Sequence, residues 1–394
     1  MEYLHELAKR EDMVRALALI DETMSCMLAD TIKIGQTPAP TFDEGLRADL
    51  IEELYKSLGM NNVTKDEVGN VIARLNMSES GPNIYLTAQM DTNYASEEDH
   101  TAALDSEKLT GPSIADNSVG LSSLINLARI IDKASLQLEA NICFLSTVGS
   151  QGKGYSTGIR SVVDEMGDNI DAMIGVEGIK LGRIGHYFKG CRILDIACRV
   201  PEDKSQAEVV KPNAVSVIAE IIHKLGGLKL PSAPDVEVNF GFVRGGEDYD
   251  KVATYSRCGI ELLSMNPDSL AHVENRIRFW VSKIAVKMSA EAQIERLRNH
   301  PSGNIPEDHF MVHLVKDVNT FLKVKSVPGY SSPDISVPLS KGIPSVTIAV
   351  SEGSVDKGNE TILINPLTIG MKQLLLTVVA LTTKWNEYTT LPVW

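Results

Sequence analysis

Three short apolar runs, each passing into a polar loop, constrain the fold of this 394-residue chain more than any other feature. They are NIYLTAQMDT (83–92), ANICFLSTVGSQGKG (140–154) and AMIGVEG (172–178). Between the first two, GPSIADNSVG (111–120) opens a helical stretch reaching to about 133, and a second helical segment lies near 157–167. Far downstream, SSPDISVPLSKGIPSVTIAV (331–350) carries another buried strand at 343–350, followed by a last helix in PLTIGMKQLLLTVVALTTKW. Strands that alternate with helices and are apolar along nearly their whole length belong in a largely parallel sheet covered on its faces. Loops at the carboxyl ends of such strands are where ligands sit, and the unusual residues of this chain fall there.

Upstream, 13–33 and 43–59 read as helices, the second with Asp43 as its cap and Gly59 as its stop. The alternating stretch NNVTKDEVGNVIARLN (61–76) reads as one or two short strands. From about 186 the character changes: CRILDIACRV, a helical PNAVSVIAEIIHKLGG, VEVNFGFV, KVATYSRCGIELLSM and a helical PDSLAHVENRIRFWVSKI describe a sheet with two helices. A chain this long exceeds what one core usually organises. The expectation is therefore a discontinuous α/β domain from 1–185 and 290–394, with an inserted α+β domain at 186–289.

A net charge of −14 argues against nucleic acid or an anionic membrane surface as partner. The N-terminal MEYLHELAKRED lacks the apolar core of a signal peptide. The longest apolar stretch, LLLTVVALTT (374–383), is too short to span a bilayer. Five cysteines without a C-x-x-C pair read as buried free thiols in a reducing compartment, so a cytoplasmic protein is expected.

The order and spacing of these loops resemble metallopeptidase family 20, the dinuclear zinc hydrolases that include aminoacylases, carboxypeptidase G and tripeptide aminopeptidase. The resemblance covers nearly the whole chain and implies a zinc-exopeptidase-like α/β fold with an inserted lid that mediates dimerisation. It also implies two histidines, several carboxylates and a catalytic glutamate in the loops. At the family's first signature, a histidine followed two residues later by an orienting aspartate, this sequence has Gln89-Met90-Asp91. The bridging carboxylate matches Asp116, which as a residue before a helix is also a plausible N-cap. The adjacent glutamates, one a general base and one a ligand, are replaced by Ser150-Gln151. Glu177 matches the next ligand, and the final ligand histidine aligns with Gly358.

Of these five ligand positions only Asp116 and Glu177 keep a strong ligand type. A structural or catalytic zinc takes about three protein ligands or more, so no metal ligands are assigned and no cofactor is expected. A hard divalent cation would bind Asp116 and Glu177 weakly at best. In the lid, the family's carbonyl-polarising histidine falls to Lys204, its asparagine to Asp250, and its substrate-gripping arginine to Leu263. Asp334 matches an acidic position in a serine-rich loop.

Elsewhere, His309 and His313 stand four apart on a predicted helix, which fits a solvent-facing surface better than a metal site. Gly154-Tyr155-Ser156-Thr157-Gly158 satisfies G-x-S-x-G but lies too far beyond its strand for a nucleophile elbow. The leading expectation is a zinc-peptidase-like protein that no longer hydrolyses amides by the metal route and binds a small amino-acid or peptide-like ligand, as a homodimer through 186–289. Two alternatives stay open. One is a metal-independent enzyme using Asp91, Asp116, Glu177 and Lys204 for acid–base chemistry; the other is a metallohydrolase with atypical ligands. Three carboxylates without a cation would raise one another's pKa in either metal-free case.

Overall fold

The computed structural model describes residues 2–76, 80–201, 212–228, 236–356 and 358–389. Two compact units divide the chain: Met1–Phe188 with Gly303–Trp394, and Lys189–Ser302.

The larger unit is a mixed α/β structure built on a central, mainly parallel sheet. Its strands run in the order Val63–Lys65, Val71–Asn76, Asn141–Thr147, Asn83–Gln89, Ala172–Ile179, Ser345–Ser351, Arg183–Phe188 and Gly303–Asn304, with Val327–Tyr330 also paired to Arg183–Phe188. The four central neighbours are parallel. They are also the most apolar: Ser345–Ser351 is buried at every position and Asn83–Gln89 at all but its first. Buried on both faces, such strands lose the alternation of a half-exposed sheet.

Helices cover the sheet. Val119–Ala134 is buried nearly all round and packs with the long helix Glu11–Gly35. The C-terminal helix Ile364–Thr389 lies against strand Ser345–Ser351. It contains a 24-residue segment long and apolar enough to cross a membrane, but Leu374, Leu375, Leu376, Val378 and Leu381 are each 0 % exposed in the core. Here the apolar stretch is a core element. Gly370 permits the close fit, because a Cβ there would overlap the Val350 carbonyl of the strand beneath.

Two local expectations shift. Helix 43–59 is observed as Gly45–Ser57, and Asp43 does not cap it. The neighbouring Glu44 instead extends its carboxylate to the Gly149 amide at 2.9 Å, tying the helix start to the loop after strand Asn141–Thr147. Of the five cysteines, four are buried and free as expected, whereas Cys26 is free and exposed.

The smaller unit is a four-stranded antiparallel sheet in the order Glu237–Gly245, Tyr255–Ser264, Gly190–Arg199, Glu291–His300. Helices Ala214–Gly226 and Pro267–Lys287 start from Asn213 and Asn266, whose side chains accept the first free amides of each helix. Leu194, Ile196, Ile218, Ile221, Ile260 and Leu262 form its core. Buried Glu274 accepts from Arg192, Arg278 and Arg296, which satisfies a carboxylate that would otherwise be costly inside the layer. Strand Glu291–His300 pairs with Gly190–Arg199, so the segment from 291 to 302 belongs to this unit and not to the larger one, where the reading of 290–394 put it.

Candidate functional site

A cleft of about 280 Å³ opens in the larger unit among residues that follow or end the central parallel strands. Gln89 closes strand Asn83–Gln89, Ser150 and Gln151 follow Asn141–Thr147, and Glu177 lies near the end of Ala172–Ile179. Asp116, Arg183, Ser332 and Asp334 complete the polar lining. The sheet thus gathers residues far apart in sequence at one edge, as parallel α/β folds do.

Asp116 sits in an irregular turn, Ile114–Ser118, just before helix Val119–Ala134, and the Asp116–Asn117 peptide is cis. Gly178 lets the neighbouring strand approach this turn, since a Cβ there would overlap the Ala115 carbonyl. The Asp116 side chain does not cap the helix. Its Oδ1 accepts Gln89 Nε2 at 2.5 Å, and its Oδ2 accepts Gln151 Nε2 at 3.3 Å. The direction of the first bond follows from its surroundings. Asn117 Nδ2 donates to the Val176 carbonyl at 2.8 Å and to Gln89 Oε1 at 3.0 Å. A backbone carbonyl only accepts, so Gln89 Oε1 must accept as well, which leaves its NH₂ group to donate to Asp116.

Asp91 lies behind the cleft, 0 % exposed. Its carboxylate accepts the Ser150 amide at 2.9 Å, the Gln151 amide at 2.7 Å and the Thr41 hydroxyl at 2.9 Å. It shapes the loop that carries Ser150 and Gln151. Asp334 Oδ2 accepts the Thr147 hydroxyl at 2.8 Å and the Ser150 hydroxyl at 2.6 Å, so Ser150 is a donor to a buried carboxylate.

Several residues that sequence reasoning did not single out complete the site. Glu360 Oε2 accepts the amides of Ala115 and Asp116 at 2.9 and 2.8 Å and fixes the turn from behind. Arg47, 0 % exposed, donates to the carbonyls of Thr37 and Met90 and to the Ser113 hydroxyl. Burial lowers its pKa to about 10, against the opposing charges of Asp91 and Glu360. Arg183 lines the cleft, with Nε and Nη2 given to the Tyr330 carbonyl and Nη2 also to that of Ser331. Nothing in the local sequence around Glu360 or Arg47 marks them; their partners lie in distant segments.

Asp116, Glu177, Asp334 and Glu360 hold protons more tightly than usual. Burial, then the charge of Asp91, raises Asp116 to about 6, while the Gln151 and Gln89 donors pull the other way. Burial and then Asp116 raise Glu177 to about 8, opposed by Arg183. Burial raises Glu360 to about 7 against its two amide bonds. Asp334 is raised by burial and moderated by the nearby hydroxyls. Formal charge without a matching cation has this consequence in a low-dielectric site.

The remaining expected residues fall elsewhere. Gly358 is exposed and donates its amide to the Tyr94 hydroxyl at 3.1 Å; it does not line the cleft, although Val355 of the same loop does. Asp250 lies on an exposed turn of the smaller unit. Lys204 lies outside the described residues. His309 is the N-cap of helix Phe310–Phe321, its Nδ1 accepting the Met311 amide. Ser156 is fully buried at the start of helix Thr157–Met166. Among the described residues, no three His, Cys, Asp or Glu side chains are arranged to hold a metal ion.

No family model matches this sequence, and no curated protein matches it. Solved structures do. A Staphylococcus aureus tripeptidase superposes with a TM-score of 0.75 at 18% identity, over 91% of this chain and 99% of that one. Human carnosine dipeptidase 1 gives 0.75 at 10% identity, over 94% and 99%. A Bacillus subtilis protein described as a dinuclear metal-binding peptidase of the M20 family gives 0.66 at 15% identity, over 92% and 99%. The chain has the fold of the M20 peptidases. At these identities the likeness establishes architecture, and the chemistry must be argued from the cleft.

Proposed function

We propose that this protein keeps the M20 peptidase scaffold without the two-metal hydrolytic chemistry of that family, and binds a small amino-acid or peptide-like ligand in its cleft. The observation that carries this reading is the pair of glutamine amides on Asp116. A carboxylate that bridges two cations offers one oxygen to each. Here each oxygen faces an N–H donor, and Gln89 is held in that orientation by Asn117 and Val176. The donor set does not fit a metal pair. Ser150, at the position of the family's general base, already donates to Asp334 and has no carboxylate to take a proton from water. Loss of a general base alone typically costs ~10²–10⁴-fold.

The test is elemental analysis after purification with zinc and dialysis, with turnover of acylamino acids and short peptides measured on the same sample. We expect well under one zinc per chain and no zinc-stimulated hydrolysis. Two zincs per chain, or turnover that responds to zinc, would overturn the reading.

A second reading has one observation in its favour. Asp116 at about 6 and Glu177 at about 8 bracket neutrality, as a general base and general acid would. Metal-independent turnover of a peptide-like substrate that is lost in Glu177→Gln would favour it.

A further inference from the structure

We propose that the cleft recognises a small organic cation through a primary ammonium group. This deepens the reading above and rests on a cleft without resident metal. The argument is one of hydrogen-bond complementarity. The neutral donors at the site are largely turned to the protein's own carboxylates: one N–H of each glutamine amide to Asp116, and the Ser150 hydroxyl to Asp334. What the lining leaves over in charged groups is mainly acceptors, foremost the Glu177 carboxylate. Asp334 is closed to further partners: its Oδ2 already accepts two hydroxyls, and its Oδ1 is buried with the Ser156 hydroxyl beside it. Gln151 Oε1 receives only a long contact from Asn93, at 3.4 Å. The Glu177 carboxylate faces the same space. A buried acceptor left unmade costs free energy, so the favoured occupant is a donor.

Charge points the same way. Asp116, Glu177 and Asp334 line the cavity against one guanidinium, Arg183, which is partly committed to backbone carbonyls. An ammonium group brings positive charge and three N–H donors together, and charge-assisted bonds to carboxylates are the strong kind. A bare metal ion fits less well, because no three His, Cys, Asp or Glu side chains among the described residues are grouped to hold one. Acceptors spread around a cavity suit N–H donors on an organic skeleton. The cavity of about 280 Å³ limits that skeleton to a small molecule.

The experiment uses the full chain at pH 8, with zinc content measured on the same sample. A panel of primary amines from methylamine to hexylamine is titrated by calorimetry and thermal shift, alongside butyrate and Mg²⁺. We expect saturable millimolar binding of at least one amine, no binding of butyrate, and ~10-fold or greater weakening in Glu177→Gln. Asp116→Asn, which removes the other partly exposed carboxylate of the lining, is measured in parallel in case the first variant folds poorly, with the same weakening expected. Saturation by butyrate or by Mg²⁺ alone, no saturable amine, or unchanged amine affinity in both folded variants would overturn the proposal. A zinc-loaded, hydrolytic sample would mean the underlying reading has failed. A zinc-free sample indifferent to amines would mean only the ammonium assignment has.

Discussion

Glu360 accepts the backbone amide of Asp116 at 2.8 Å across 244 residues of chain, and the same oxygen takes the amide of Ala115. Two buried N–H groups in the turn that presents Asp116 therefore depend on one distant carboxylate. Leaving such a group unsatisfied costs about 1–3 kcal/mol each. We expect Glu360→Ala to lower unfolding free energy by ~2–4 kcal/mol at pH 6, read by urea denaturation. A loss below about 0.5 kcal/mol would show that the turn holds itself.

Stability is expected to fall as pH rises from 5 to 8.5. Asp116, Glu177 and Glu360 all have folded pKa values above those of an unfolded carboxyl group. The folded state then binds more protons than the unfolded one, so the stabilisation is complete below the unfolded pKa, about 4, and is lost on passing through about 6 to 8. Glu177→Gln removes the group with the highest value. Its melting temperature should exceed the parent's at pH 8.5 by ~3 °C or more and converge with it near pH 5. A parallel pH profile in the two proteins would contradict the assignment.

The Gln89–Asp116 bond should matter most when Asp116 is ionised. Donation by Gln89 lowers the Asp116 pKa, so removing it raises that pKa further and penalises the charged form. Gln89→Leu is therefore expected to destabilise by ~1–3 kcal/mol at pH 8 and by less at pH 5, measured by denaturant titration at both pH values. A larger loss at the lower pH would mean the effect is packing.

The smaller unit leaves strand Glu237–Gly245 at the edge of its sheet, with Val243 and Phe242 exposed. Open edges invite pairing with a second copy, and closed twofold dimers are the commonest assemblies. We expect light scattering at micromolar concentration to give a dimer mass, and Val243→Lys to shift it toward monomer. A monomer for the parent chain would remove this expectation.

The parallel core was legible because its strands are apolar without interruption, as in NICFLST and SVTIAVS. The boundary of the smaller unit was not. EAQIERLRNH mixes charge with scattered apolar residues, and only its pairing with Gly190–Arg199 makes it a strand. The family resemblance places the final ligand at Gly358, but that residue is exposed and it is Glu360, two residues on, that turns in.

Local residue type and period determined which segments became strands and helices, and that Gln89, Ser150 and Gln151 are neutral side chains. Tertiary structure alone decided what those side chains do. The amide of Gln89 becomes a donor to Asp116 because Asn117 and Val176 hold its other end, and Asp91 becomes a loop anchor because Thr41 and two backbone amides converge on it. A hydrogen bond's direction is set by every partner within about 3 Å, and those partners come from segments that only the folded sheet brings together.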